Sequence, residues 1–202
     1  MAAIFTRLRH SHDPPEGAEE SDAMLVRRAL RDREAFASLY LRYLEEIARF
    51  CYLRLSDEEA ARDAAQQVFA QALAALPRYQ ERDQFRAWLY AIARHVLANQ
   101  VRQRRATATL ETALEAIDPG QTPEELASAV LERRALLAAV TRLPDDQRTA
   151  VELRLAGLTG PEVAVAMGRS HDAIKKLQLR AMERLRAELV AGAGSDGVRR
   201  GT

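Results

Sequence analysis

The sequence predicts an all-α fold: two small helical domains joined by a flexible acidic linker. Three observations carry this. Ala, Leu, Arg and Glu dominate a chain of 202 residues that is 48% hydrophobic and only 5% aromatic, a globular composition that favours helices. Apolar residues recur at three- and four-residue steps in two blocks, 22–105 and 127–190, the spacing of buried helix faces. Between them, 106–126 holds five acids (Glu111, Glu115, Asp118, Glu124, Glu125) and no Lys or Arg, interrupted by Pro119-Gly120 and Pro123. A solubilising tether has this composition.

The first block reads as a bundle. Residues 1–21, with Pro14-Pro15 and Glu16, Glu19 and Glu20, form a mobile tail. Asp22 is placed to cap a short helix to Ala29 or Leu30. Phe36, Leu39, Tyr40, Tyr43, Leu44, Ile47, Phe50 and Cys51 then make Arg33 to Leu55 a strong amphipathic helix. Ser56-Asp57 starts the next, with Ala61, Ala64, Ala65, Val68, Phe69, Ala72, Leu73 and Leu76 on its buried side until Pro77 ends it. Residues 77–84 are a polar loop. Phe85, Trp88, Leu89, Ile92 and Val96 line a last helix running to about Arg105. From Pro77 to Arg105 there are seven Arg and two acids. The loop offers Arg78, Tyr79, Gln80 and Arg82, and the helix presents Arg86, Tyr90 and Arg94 outward. Cations beside aromatic rings suit single-stranded nucleic acid, where bases stack and phosphates meet guanidinium groups. A solvated basic face with Tyr79 half buried has the same pattern, and Trp88 lies nearer the core.

The second block holds two helices joined by a very short turn. Gln121 or Thr122 is placed to cap a helix that continues to Arg142. Thr159-Gly160-Pro161-Glu162 starts a short helix: a hydroxyl cap, Glu three residues on, and Pro in the first turn. Gly168 suits the left-handed position at its end, and Ser170 caps the next helix. Ile174, Leu177, Ala181 and Leu185 form that helix's buried stripe, and a tail follows from 191 to 202. A short helix, a Gly-containing turn and a longer basic helix describe a helix-turn-helix. Stepping about 100° per residue, Asp172, Lys175, Lys176 and Leu179 lie opposite the stripe, Arg180 lies on its flank, and Arg169, Ser170 and His171 open the helix. From Pro161 to Arg186 six Lys/Arg face three acids. Such a helix reads base edges in a major groove, although a helical hairpin with a solvated charged face shares the pattern.

Other classes find little support. His10, His12, His95 and His171 are scattered, no HExxH, CxxC or Gly-rich phosphate loop occurs, and no catalytic residue, metal site or cofactor is expected. The single cysteine, Cys51, sits in an apolar pattern and reads as buried filler. No apolar run is long enough to span a membrane, and Met1–His10 is too short and charged for a signal peptide. A cytoplasmic protein without membrane insertion is expected.

At this point the chain resembles sigma-70 family RNA polymerase sigma factors of the extracytoplasmic-function (ECF) type. Its first block, with DAMLVRRALRDREAFASLYLRY, ARDAAQQVFAQAL and FRAWLYAIARHVLANQVRQRR, looks like sigma region 2. The second, LPDDQRTAVELRLAGLTGPEVAVAMG leading into the basic helix, looks like region 4. The resemblance implies promoter-specific initiation with core RNA polymerase. It implies that the helix from Ala60 to Leu76 docks on the β′ clamp coiled coil, with Asp63 and Gln66 as a polar pair, Gln67 beside them and Phe69 beneath. Region 4 pairs with the β flap and the −35 element, while the 77–84 loop and its following helix open the −10 element. An anti-sigma factor is a further implied partner. Arg62 stands where the family usually has an acid, and Leu179 where it commonly has a polar residue. The rival readings are a conventional helix-turn-helix regulator that acts without core polymerase and an RNA-binding protein.

Overall fold

The computed structural model describes residues 20–80, 82–107 and 136–197, with side chains omitted at 104–107 and 190–197. The expected N-terminal tail, the acidic linker and the helix start near 123 lie outside these residues. Every regular element among the described residues is helical. No helix among them is long and apolar enough to cross a membrane.

Helix α1 (Asp22–Arg31) is capped by Ser21, whose hydroxyl accepts from the Met24 amide. Asp22, read from sequence as the cap, instead ion-pairs with Arg42 at 2.7 Å and accepts from the Tyr43 hydroxyl. A 3₁₀ turn (Arg33–Ala35) leads into α2 (Phe36–Leu55), which ends at Ser56 in the left-handed region, φ 53°. Asp57 then caps α3 (Glu58–Ala75) through the Ala60 amide at 3.0 Å. Pro77 falls in the 3₁₀ turn Leu76–Arg78 that closes this segment. Helix α4 spans Phe85–Thr107.

These helices pack because each buries one stripe. α2 contributes Leu39, Tyr43, Ile47, Phe50 and Cys51; α4 contributes Phe85, Leu89, Tyr90 and Val96. α3 supplies mainly small groups, Ala61, Ala64, Ala65 and Ala72, so α2 and α4 pack close on either side of it. Cys51 is fully buried, and desolvation pushes its thiol up to about 12. The expected filler role fits a thiol held protonated.

The C-terminal part comprises α5 (136–142), α6 (Asp145–Leu155), α7 (Gly160–Met167) and α8 (His171–Gly197). The sequence reading ends α8 near residue 190, but the helix continues to Gly197. No proline intervenes, and adding a turn to an existing helix needs no new nucleus. Ala139, Val140 and Leu143 meet Ala181 and Leu185 in a small core of their own. Leu153, Leu158, Val163, Ala166, Met167 and Ile174 instead join the same buried cluster as α2 to α4. α7 rests on α4, and α6 reaches α2.

Candidate nucleic-acid interface

The helix-turn-helix is built by local capping. The Thr159 amide donates to the Glu162 carboxylate at 2.6 Å, and the Glu162 amide donates back to Thr159 Oγ1 at 3.4 Å. This reciprocal box satisfies two orphan donors at the start of α7. Gly168 ends the helix at φ 61°, where a side chain would be strained. Ser170 accepts from the Ala173 amide at 3.2 Å and starts α8. Ile174, Ala181 and Leu185 are buried as the stripe requires. Asp172, Lys175, Lys176, Leu179 and Arg180 therefore point to solvent, and Leu179 is 62% exposed. Ser170 and His171 are exposed at the helix start. A methyl group at Gly160 would stand 2.7 Å from His171 Nε2, so the imidazole lies over the first residue of α7. Arg169 is exposed but ion-paired to Asp146 of α6.

The residues assigned to −10 opening divide into two sets. Arg78, Gln80 and Arg82 are exposed on the loop, and Arg82 donates to Gln80 Oε1 at 2.8 Å. Tyr79 is half buried, its ring 4.7 Å from Trp88 and edge-on to Phe85 at 5.9 Å. Trp88 is also half buried against the core. Phe85 and Trp88 thus support the loop through the Tyr79 ring.

The α4 set is not where the sequence places it. Tyr90 is wholly buried, its ring 5.1 Å from Phe50. Burial, with the nearby Glu46 carboxylate, raises its hydroxyl pKa. It is a core residue, and the outward assignment is corrected. The stripe through Phe85, Leu89 and Val96 marks one buried face, but α4 has a second, covered by the C-terminal helices. Arg86 is only 19% exposed. Its guanidinium contacts Glu46 at 3.1 Å and donates to the carbonyls of Ala156 at 3.0 Å and Gly157 at 3.2 Å; Glu162 lies 3.7 Å away. Burial works against the charge, but Glu46, Tyr90 and Glu162 outweigh it and the guanidinium pKa is raised. The two carbonyls end α6, where helix dipoles favour a cation. Gly157 adopts φ 87°, and a Cβ there would come within 3.3 Å of the Arg86 guanidinium. Arg94 is partly buried, and its Nε is buried without a hydrogen-bond partner.

A second polar junction escaped the sequence reading. Glu152 of α6 is 2% exposed and accepts from Arg54 of α2 at 2.9 Å and Arg148 at 2.6 Å. Arg54 also reaches Asp145 at 3.3 Å, and Arg148 donates to the Arg54 carbonyl at 3.4 Å. Burial pushes the Glu152 carboxyl upward, and the two guanidiniums offset this without cancelling it. No spacing rule links Arg54 with Glu152 across nearly a hundred residues; a charged residue amid the apolar spacing of α6 was the only signal.

On the opposite side of the bundle, α3 and the start of α2 enclose a shallow apolar groove lined by Phe36, Tyr40, Gln66, Phe69, Ala70 and Leu73. Of the residues assigned to polymerase docking, Gln66 and Phe69 line it. Phe69 is 4% exposed and edge-on to Tyr40 at 4.8 Å. Asp63 and Gln67 are exposed on the same helix outside the groove, and Gln67 accepts from Gln100 of α4 at 3.5 Å.

Residues 39–107 match sigma-70 region 2, and residues 133–185 match sigma-70 region 4. The chain is 36% identical to ECF RNA polymerase sigma factor BldN of Streptomyces coelicolor, over 86% of this chain and 69% of that one. It is 31% identical to ECF RNA polymerase sigma factor SigD of Mycobacterium tuberculosis, over 93% and 92% of the two chains. Among solved structures, CnrH in complex with the cytosolic domain of CnrY superposes with a TM-score of 0.64 at 25% identity, covering 85% of this chain and 99% of that one. The fold also matches RpoE of Bartonella quintana, solved with the anti-sigma factor NepR, with a TM-score of 0.61 at 23% identity and 77% and 97% coverage. Two sigma regions in the right order, together with relatives aligned over most of the sequence, place this chain in the extracytoplasmic-function family of RNA polymerase sigma factors.

Proposed function

We propose that this sigma factor docks on core RNA polymerase through α3, reads the −35 element with α8, and opens the −10 element with the 77–84 loop and α4. In this reading residues 22–105 act as region 2, 127–190 as region 4, and 106–126 as the linker. The observation that carries it is the recognition helix: capped at its start, buried along one stripe, and exposing Asp172, Lys175, Lys176 and Leu179 on the other. Its partners are core polymerase, promoter DNA and an anti-sigma factor. Arg78, Tyr79, Gln80 and Arg82 form the strand-facing loop. Tyr90 supports α4 from within. In-vitro transcription of genomic fragments with core polymerase is the test. Start sites sharing −35 and −10 sequences, found only when the chain is added, are the expected result. Tight duplex binding without polymerase and no new start sites would make the chain a conventional regulator.

Docking through α3 gives a first expected outcome. Asp63→Arg or Gln66→Ala should weaken core binding in a pull-down, while thermal stability changes by no more than about 0.5 kcal/mol, as for most surface substitutions. Normal retention of core by both variants would remove this face from the docking surface.

The recognition helix gives a second. Lys175, Lys176 and Leu179 lie in its first turns, where base edges are met, while Arg180 flanks that face nearer a groove wall. Leu179 offers an apolar contact to a thymine methyl and accepts no hydrogen bond. Leu179→His should alter preference at one base position by roughly 1–3 kcal/mol. Arg180→Ala should weaken all sequences alike and lower the salt slope by about one unit. Holoenzyme binding to a −35 library at two salt concentrations separates these. A shifted preference in Arg180→Ala with none in Leu179→His would reverse the assignment.

A further inference from the structure

The residues that open α8 are placed differently from one another. Ser170 caps the helix through the Ala173 amide at 3.2 Å. Arg169 is turned back to Asp146 of α6, and the His171 imidazole lies over Gly160 at the start of α7. Asp172 is the first side chain that stands free. It is exposed, and among the described residues it has no ion-pair or hydrogen-bond partner. At about 100° per residue, Asp172 and Leu179 lie within about 20° of one line opposite Ala181, with Lys175 and Lys176 on either side. Ala181 is fully buried and Leu179 is 62% exposed, so this line faces outward. Seven residues at about 1.5 Å each set Asp172 and Leu179 about 10 Å apart along the helix. At about 3.4 Å per base pair, that spans about two to three base pairs.

A carboxylate on this line is repelled by phosphates, so it is tolerated in a major groove only where a base offers it a donor. Guanine and thymine present acceptors there, and thymine a methyl group as well. Adenine offers its N6 amine beside the N7 acceptor, which faces a carboxylate with a second repulsion. Cytosine offers its 4-amino group with no acceptor next to it. Lys175 and Lys176 reach to either side, toward guanine acceptors or phosphates, and keep the helix start attractive to DNA as a whole. We propose that Asp172 selects cytosine at one position of the −35 element, about two to three base pairs from the position that Leu179 reads. This rests on the −35 role proposed for α8. An acid that only offsets the α8 dipole would be indifferent to sequence.

The test is binding of the holoenzyme to a −35 duplex library. Wild type should prefer cytosine at one position by on the order of tenfold, the scale of one specific base contact. Asp172→Ala should flatten that position alone. Its binding to duplexes without the cytosine should rise rather than fall, because the repelled carboxylate is gone. Asp172→Asn adds a donor beside the acceptor and should move the preference toward adenine. A duplex whose cytosine carries hydrogen in place of the 4-amino group should bind wild type more weakly, again on the order of tenfold, and Asp172→Ala as before. An unchanged preference in Asp172→Ala, or a uniform loss across all sequences, overturns the proposal and leaves −35 reading by α8 intact. So does a preference lost outside the expected spacing from the position altered by Leu179→His. A wild-type holoenzyme with no base preference anywhere at −35 removes that reading, and this proposal with it.

Discussion

Tyr90→Ala is expected to destabilise the protein by about 3–5 kcal/mol, the range for deleting a buried aromatic side chain. Tyr90 has no exposed surface, and its ring packs edge-on against Phe50. Small domains have only about 5–15 kcal/mol in total, so the loss should be visible as a large drop in the urea midpoint. Tyr90→Phe retains the ring. It gives up only a long hydroxyl contact to Glu46 at 3.5 Å, and should cost no more than about 1.5 kcal/mol. The pair separates packing from nucleic-acid contact. A Tyr90→Ala chain as stable as its parent, yet unable to open a promoter, would return Tyr90 to the surface role that its sequence position suggests.

Tyr90 also shows where sequence reading stops. The start of α7, its left-handed end and the start of α8 were legible because Thr159 with Glu162, Gly168, and Ser170 each act within about four residues. The buried stripe of α8 was legible because that helix has essentially one covered side, so exposure of Asp172, Lys175, Lys176 and Leu179 follows from Ile174, Ala181 and Leu185. Helix α4 has two covered sides. Its apolar periodicity reports the contact with α2 and α3; the second joins apolar groups of the C-terminal helices, among them Leu158, Val163 and Met167, to polar ones: Arg86, Glu162, and the carbonyls of Ala156 and Gly157. A guanidinium that caps another helix some seventy residues away looks, in sequence, like any surface arginine. The same holds for Arg54 and Glu152. Periodicity recovers the helices and the exposed reader; it does not recover long-range charge pairing.

Glu152→Ala is the other large expected loss. Arg54 and Arg148, whose side chains are 11% and 15% exposed, would face each other without their shared acceptor. Arg54 would keep only the exposed Asp145 at 3.3 Å, and Arg148 would lose its carboxylate; breaking a buried pair in this way typically costs about 3–5 kcal/mol. Yet the intact triad is a weak stabiliser, since burial raises the Glu152 carboxyl pKa in spite of both arginines. The sign follows: a raised carboxyl pKa means that ionisation opposes the folded state. This carboxyl's contribution is fully present below its unfolded pKa and is lost as pH rises through the folded one. Replacing the whole triad with apolar groups, as in Arg54→Met/Arg148→Met/Glu152→Leu, should therefore be neutral or stabilising by about 1–4 kcal/mol. That variant fills the junction without buried charges. It should unfold at the same or a higher urea concentration than wild type. If the triple variant is as unstable as Glu152→Ala, the triad is a structural support.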